Sequence, residues 1–283
     1  MTGPVARLLP DGERLHLQHG PIDLIIGADG DRDTACRAAW QRFRTILDEL
    51  VAELPLLRRE VGEVPLGPTA RRMTRATLPH ASVFVTPMAS VAGSVAEEVL
   101  AAMTKATPLS RAYVNNGGDI AFHLAQGARF RMAIAGLDDA DLGRVDVGYG
   151  DAARGIATSG QGGRSLSMGI AGAVTVLARS ASEADVAATL IANAVDLPGH
   201  PAITRTPANR LQPDSDLGAR LVVSHVGPLT QAETARALDR GEAAAQAICA
   251  RGLALSCALF LNGQSRLCGQ PQGLFLDRSP AHA

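Results

Sequence analysis

Apolar side chains along this chain follow two different spacings, and together the spacings predict a mixture of helices and strands. Between residues 31 and 54, large apolar residues recur three or four positions apart, as expected for one buried face of a helix. Asp31 or Asp33 can cap this helix, and Pro55 ends the pattern. The predicted buried stripe consists of Trp40, Phe43, Leu47, Leu50 and Leu54.

The rest of the chain continues this mixture. Capping boxes, formed by Ser180 with Glu183 and by Thr230 with Glu233, mark the starts of two later helices. The helices predicted beyond the first cover residues 90–103, 180–195 and 230–251. Short apolar runs predict strands at 22–28, 82–86, 113–114, 129–137, 144–148, 155–160, 173–178, 221–226 and 254–261. Segments 61–81 and 199–218 are rich in turn-forming residues and predict loops.

Several of these strands follow one another directly, without a helix between them. This order favours an α+β fold with antiparallel-rich sheets and packed helices over a doubly wound fold. The 283 residues suffice for one large domain or two small ones. We expect a single domain over residues 1–283, and the repeated rhythm leaves two similar halves, 20–150 and 151–265, as an alternative.

Composition excludes several classes of function. The chain is 46% hydrophobic and 19% charged, which is typical of a globular protein. A net charge of −1 and 3% aromatic residues argue against a nucleic-acid partner. No apolar run approaches the roughly 18 residues of a membrane span, and the N-terminus lacks the apolar core of a signal peptide. The four cysteines show no metal-ligand or disulfide spacing, so we expect a cytoplasmic protein; a homo-oligomer stays open.

Two glycine turns are the first candidates for chemistry. Asn116, Gly117, Gly118 and Asp119 follow a predicted strand, where adjacent glycines let a ligand approach the backbone amides and the aspartate can bind a metal or a ribose hydroxyl. Taken alone, this pattern is more typical of a tight turn. Thr158, Ser159 and Gly160, followed by residues 161–165, form a second glycine- and hydroxyl-rich segment that can hold a phosphate. Its spacing is not that of a P-loop, so a solvated turn is the alternative.

A helix supplies the third candidate. Asp185 and Thr189 lie four residues apart and therefore on one helix face. A carboxylate and a hydroxyl in this arrangement offer two oxygen ligands to Mg²⁺, which binds few protein ligands and retains waters. The alternative is that both residues form the solvent-facing side of an amphipathic helix.

The three candidates occur in the order in which the ApbE flavin transferases carry similar motifs. That family has a strand and turn N-[AG]-G-G-D-I, a turn A-[ST]-S-G and a helix A-D-A-x-A-T, which residues 115–120, 157–160 and 184–189 resemble. Residues 91–96 resemble the small-residue helix that precedes these motifs. The resemblance extends from about residue 22 to about residue 261.

The resemblance implies a T-fold-like ApbE architecture, bound Mg²⁺, and FAD or a related nucleotide as the small-molecule ligand. In such enzymes FAD is cleaved, FMN is passed to a threonine of a target protein, and AMP is released. Asp185 and Thr189 correspond to metal ligands, helped by a backbone carbonyl at Ala92. The first turn, 116–119, corresponds to residues that line the nucleotide, and the second, 158–160, to residues near the diphosphate.

One motif of the family is missing. Its H-x-x-D-P-x-T-G segment, which carries the proposed histidine base, is replaced here by residues 164–171, which have no histidine, aspartate or proline. This pattern resembles the UPF0280 branch of the superfamily. We therefore expect a Mg²⁺-dependent transferase or hydrolase acting on a flavin or related nucleotide. The alternatives are an enzyme that makes a pterin-type one-carbon carrier such as tetrahydromethanopterin, and a non-catalytic flavin-binding protein.

Overall fold

A long antiparallel sheet runs through the molecule, with helices on one face and a smaller sheet on the other. The structure, a computed structural model, describes residues 3–60, 62–135, 141–161, 163, 165–270 and 274–275. Its helices are α1 (Arg32–Ala52), α2 (Leu54–Leu57), α3 (Pro68–Thr77), α4 (Val91–Ala106), α5 (Ala181–Ala194), α6 (Ala208–Leu211) and α7 (Gln231–Ala250).

Along the chain, runs of one or more strands lie between these helices. They are β1 (Val5–Leu8), β2 (Leu15–His19), β3 (Ile22–Gly30), β4 (Leu109–Asn116), β5 (Asp119–Leu124), β6 (Arg129–Ala135), β7 (Asp141–Gly148), β8 (Gly155–Ser159), β9 (Ala173–Ala178), β10 (Ile203–Pro207), β11 (Leu221–Val226), β12 (Ser256–Leu261), β13 (Gln264–Gly269) and β14 (Leu274–Phe275).

The large sheet has the order β1-β2-β3-β4-β5-β8-β9-β12-β13 in the described chain. Every neighbouring pair in it is antiparallel. Strands β14, β7 and β6 form the smaller sheet, and β10 pairs with β11. The prediction of an antiparallel-rich α+β fold is confirmed. The division into one domain or two similar halves stays a prediction.

Two apolar clusters fill the space between the helices and the large sheet. One joins α1 and α4 to β2, β3 and β4, and it includes the fully buried Phe43. The other joins α5 and α7 to β8, β9 and β12, and its helix side consists mostly of alanine, which lets the helices lie close to the sheet. A third cluster packs the smaller sheet against the opposite face, around Phe122.

Most predicted elements are present, and α1 begins as expected, because the Asp31 side chain accepts the amide of Thr34. The helix boundaries at Ser180 and Thr230 are also confirmed, since each side chain caps its helix. Three predictions are wrong: segment 61–81 contains α3, segment 82–86 forms no strand, and segment 199–218 contains β10 and α6. Residues 136 and 137 of one predicted strand lie outside the described residues.

Helix α3 was not predicted because its buried face has a single large apolar residue, Met73, among alanines and threonines. Thr74 and Thr77 are buried and donate their hydroxyls to carbonyls one turn earlier in the helix. Pro68 at its first turn is a start signal that the loop-like composition concealed. Within the described ranges, every helix falls short of the length and apolarity that a membrane crossing needs.

Candidate functional site

The first glycine turn is a β-hairpin that joins β4 to β5. Gly117 and Gly118 both have positive φ, 66° and 110°, as a two-residue hairpin turn requires. The amide of Gly118 donates to the Asn115 side chain at 2.8 Å. A Cβ added at Gly118 would meet no atom within 4 Å, so this side of the turn faces open space. The tight turn is the local structure, and its open side leaves the backbone accessible to a ligand.

Asn116 joins this turn to the start of α4. Its side chain is 5% exposed, and its Nδ2 donates to the Ala92 carbonyl at 3.1 Å. A buried amide satisfied in this way fixes the direction of the carbonyl that it contacts. The Ala92 carbonyl is the one that the family resemblance assigns to the metal, so two of the predicted site segments are in direct contact.

Asp185 reaches the same place from α5. Its Oδ2 accepts the amide of Gly93 at 3.0 Å, and the carboxylate also interacts with the amide of Ala92. Burial raises the pKa of Asp185 to about 7, while these two amide donors act to lower it. The alternative that Asp185 belongs to a solvent-facing helix side is wrong, because this side chain points at the first turn of α4.

Thr189 lies one turn further along α5 and is half-buried. Its position four residues after Asp185 places the two side chains on the same helix face. The structure thus brings Asp185, Ala92 and Asn116 together through direct contacts, and Thr189 lies one turn after Asp185 on α5.

Two glycines explain how α5 comes so close to α4 and to the sheet. A Cβ on Gly93 would lie 2.2 Å from the Ala181 carbonyl oxygen, and a Cβ on Gly155 would lie 2.1 Å from the Ala181 amide nitrogen. The first turn of α5 therefore packs between the backbones of α4 and β8, where no side chain fits. The close approach is what lets Asp185 reach the α4 amides.

Glu97 reinforces the same contact and was not singled out from the sequence. One of its oxygens accepts the amide of Ser182 at 2.6 Å and the hydroxyl of Ser182 at 2.7 Å. Glu97 lies one turn after Gly93 on α4, so both residues face α5. That spacing is a signal for a helix contact, although it does not identify the partner helix.

Within its described residues, the second glycine turn contacts β9 and the segment before it, not Asp185, Ala92 or Asn116. The hydroxyl of Thr158 hydrogen-bonds to that of Thr175 across β8 and β9, at 2.9 Å. Ser159 ends β8, and Gly160 follows with φ 144°. A Cβ on Gly160 would lie 2.7 Å from the Gly172 carbonyl, so this turn packs on the segment before β9. Two residues of the following loop, 162 and 164, lie outside the described residues.

In the segment that replaces the family's histidine motif, the described residues 165–171 are tied to α5 and β10 by hydrogen bonds. The Met168 amide donates to Asn193 Oδ1 at 2.9 Å, and the Met168 carbonyl accepts from Arg205 at 2.7 Å. Arg205 also pairs with Asp196 at 2.5 Å. A Cβ on Gly169 would lie 2.1 Å from the Ala192 carbonyl, so the segment packs against the C-terminal half of α5.

The histidine nearest in sequence to the first turn does not replace the missing base. His123 lies on β5, and its Nε2 is 3.1 Å from the Leu109 carbonyl, at the end of the β4–β5 hairpin opposite the turn. In the described residues, no group of three or more His, Cys, Asp or Glu is arranged to hold a metal. A cation at this site would therefore depend on one carboxylate together with neutral oxygens.

A separate cavity of about 160 Å³ lies at the other end of β4, away from these residues. Its lining includes Arg14, Arg32, Arg111, Tyr113 and Phe130. Tyr113 and Arg111 project from the sheet face opposite to Val114 and Ala112, which pack under the helices. This cavity is not part of the candidate site.

Sequence comparison identifies the family and two similar proteins. A family model described as AbpE bacteria matches residues 6–267. The chain is 37% identical over 183 residues to a UPF0280 protein of Methanopyrus kandleri, covering 60% of this chain and 69% of that protein. It is 31% identical over 183 residues to a UPF0280 protein of Methanothrix thermoacetophila, covering 62% of this chain and 75% of that protein.

A solved structure has the same architecture. The apo form of the flavinyl transferase ApbE from Pseudomonas stutzeri matches with a TM-score of 0.51 and 11% sequence identity, over 96% of each chain. At this level of identity the likeness concerns the fold. The predicted ApbE-like arrangement of sheets and helices is confirmed.

Proposed function

This chain belongs to the ApbE-like UPF0280 family, and on that premise we propose that it is a Mg²⁺-dependent transferase or hydrolase acting on a flavin or related nucleotide. The observation that carries the proposal is the contact between three separate family motifs. Asp185 accepts the amide of Gly93, and Asn116 donates to the carbonyl of Ala92, which directly precedes Gly93 in the chain.

The donor set suits a hard divalent cation. Asp185 offers a carboxylate, Thr189 a hydroxyl and Ala92 a backbone carbonyl, and Mg²⁺ binds oxygen ligands of these kinds while keeping several waters or phosphate oxygens. We propose that these three residues hold the metal. When bound, Mg²⁺ would offset the negative charge of a diphosphate group.

The nucleotide is proposed to bind beside this cation, along the two glycine turns. The hairpin turn is open beside the Gly118 Cα, and Asp119 begins the next strand. Thr158, Ser159 and Gly160 are proposed to lie near the diphosphate, because β8 pairs with β5, the strand that leaves the first turn. Neutral hydroxyls and amides bind phosphate oxygens without adding a competing negative charge.

The proposed reaction breaks one phosphoanhydride bond. A hydroxyl of an acceptor, or water, attacks the phosphorus on the FMN side, the bond to the bridging oxygen breaks, and AMP leaves with that oxygen. The attacking oxygen loses its proton. Among the described residues 165–171, none carries a basic side chain, so another group has to accept this proton.

Measuring FAD affinity with Mg²⁺ and with EDTA, by calorimetry, tests the metal site. Asp185→Asn is the informative variant, because its amide oxygen still accepts from Gly93 while the charge is lost. We expect the wild type to bind FAD at least about 10-fold more tightly with Mg²⁺, and Asp185→Asn and Thr189→Val to lose most of that gain. Asp239→Asn, on the exposed face of α7, serves as the matched control and should keep it.

Equal FAD affinity with Mg²⁺ and with EDTA in the wild type would refute the metal-dependent site. Chromatography of the reaction mixture then separates activity from binding. Release of AMP and FMN from FAD supports a hydrolase, and transfer of FMN to a supplied threonine peptide supports a transferase.

A non-catalytic flavin-binding protein is the second candidate. The specific observation in its favour is the tethering of the segment that replaces the histidine motif by Asn193 and Arg205. Intact FAD that co-purifies in equal amount and is never cleaved would favour this second function over the first.

A further inference from the structure

Two cysteine thiols lie in contact in the C-terminal part of the chain, outside the candidate site. Cys249 is on the last turn of α7, and Cys257 is on β12. Their sulfur atoms are 3.7 Å apart. Both belong to the apolar cluster between α7 and the large sheet, Cys257 as a buried member and Cys249 as a partly buried neighbour.

A third thiol flanks the pair. Cys268 on β13 is the directly opposed partner of Cys257 in the antiparallel register. Cys257 is completely buried and Cys268 is 6% exposed, whereas Cys249 is partly accessible to solvent. A small oxidant in solution therefore meets Cys249 first.

The contact also separates the acidities of the two thiols. The contact between the two thiols lowers the pKa of Cys249 and, together with burial, raises the pKa of Cys257. Burial raises the pKa of Cys268 to about 11. Thiolates are the nucleophiles in thiol oxidation, so acidity and accessibility favour the same cysteine.

We infer that Cys249 and Cys257 form a peroxide-reactive dithiol site, in which Cys249 is oxidised first and Cys257 closes a disulfide. The thiolate of Cys249 attacks one oxygen of hydrogen peroxide and becomes a sulfenic acid, while the other oxygen leaves as hydroxide and is protonated to water. The sulfur of Cys257 then attacks the sulfenic sulfur, and a second water leaves with the Cys257 proton. Both thiols are oxidised, and one peroxide is reduced to two waters.

The geometry requires little rearrangement for this bond. A disulfide brings the sulfurs to about 2 Å, so they have to approach by less than about 2 Å. Cys249 is next to the last residue of its helix. Cys257 is held on both sides, by β9 and β13, and supplies the fixed end.

Tryptic peptide mapping of the full chain tests the site. Trypsin cuts after Arg251 and Arg266, so the three clustered cysteines fall in separate peptides, 241–251, 252–266 and 267–278. The reduced protein is treated with hydrogen peroxide, blocked with N-ethylmaleimide and digested without reductant. We expect a mass loss of about 2 Da in the intact protein and a cross-link between 241–251 and 252–266 that reduction removes.

Variants separate the roles of the two cysteines. Cys257→Ala should stop at a sulfenic acid on Cys249 that dimedone labels, and Cys249→Ser should leave Cys257 reduced. Cys36→Ser and Cys268→Ser are the controls, and both should form the same cross-link as the wild type. The wild-type map needs no variant to fold, so it decides the matter by itself.

Two results would overturn the inference. One is a cross-link between 252–266 and 267–278, which would assign the disulfide to Cys257 and Cys268. The other is a gain of about 32 Da on Cys249, a sulfinic acid, with Cys257 still alkylated by maleimide after digestion.

Discussion

Glu97 on α4 accepts both the backbone amide and the hydroxyl of Ser182, in the first turn of α5. In return, Asp185 on α5 accepts the amide of Gly93, in the first turn of α4. Each helix thus supplies a carboxylate to the free amides at the start of the other, where a negative charge is stabilising. This exchange fixes the position of the carboxylate that we propose as a metal ligand.

Gly93→Ala should destabilise the fold, although alanine is the better helix former. The helix propensity of alanine contributes about 1 kcal/mol in favour of the variant. The new Cβ, however, would lie 2.2 Å from the carbonyl oxygen of Ala181, a backbone atom that cannot rotate away. Because such overpacking costs up to about 3 kcal/mol, we expect a net loss of about 2 kcal/mol in the free energy of unfolding.

Urea denaturation measures this loss. Gly150→Ala is the matched control, because a Cβ there meets no atom within 4 Å. An unfolding free energy for Gly93→Ala equal to that of the control would mean that α4 and α5 do not approach as closely as described.

How far this contact was predictable depends on the range of each interaction. The helices themselves follow from local signals such as the Ser180 cap, which acts within four residues. The Asp185–Thr189 face also follows, because helical spacing fixes it. That Asp185 lies against Gly93, 92 positions earlier, follows from the order of strands in the sheet, which no local pattern determines.

The ion pairs of α4 should contribute to the free energy of unfolding in proportion to the burial of their side chains. Glu98 accepts from Arg42 at 2.9 Å and from Arg72 at 2.8 Å, and its side chain is 12% exposed. Glu98→Gln leaves two partly buried guanidinium groups without their shared carboxylate. We expect a loss of about 2–3 kcal/mol in the free energy of unfolding, since removing one partner of a buried pair is costly.

The exposed pair between Arg220 and Glu60 provides the comparison. Its atoms are 3.4 Å apart, and the two side chains are 42% and 67% exposed. Glu60→Gln should therefore change stability by no more than about 0.5 kcal/mol in the same denaturation assay. Similar losses in the two variants would contradict the assignment of Glu98 to a buried network.

His80 should make the protein less stable in mild acid. Burial, and to a smaller extent the charge of Arg251, lowers the pKa of His80 from 6.5 to about 4. Below pH 6.5 the unfolded chain takes up a proton that the folded chain still excludes, so stability falls as the pH drops from 6.5 to about 4. Below that range both states carry the proton, and this contribution levels off. The full effect is on the order of 3 kcal/mol.

Unfolding free energies measured at several pH values between 7.5 and 4 test this effect. His80→Gln should show a flatter dependence on pH than the wild type, because the excluded proton is gone. His225→Gln, at an exposed position on β11, should keep the wild-type slope. Parallel curves for His80→Gln and the wild type would show that His80 is protonated as readily in the folded state as in the unfolded chain.

Replacement by aspartate should affect stability differently at the two neighbouring asparagines of the first turn. Asn115 uses its side-chain oxygen to accept the amide of Gly118, a role that aspartate can keep. Asn116 uses its side-chain nitrogen to donate to the carbonyl of Ala92, which aspartate cannot do. Asn115→Asp should therefore stay within about 0.5 kcal/mol of the wild type, whereas Asn116→Asp should lose about 2–3 kcal/mol. Chemical denaturation at neutral pH without added metal measures both, and equal losses would mean that Asn116 does not anchor the turn to α4.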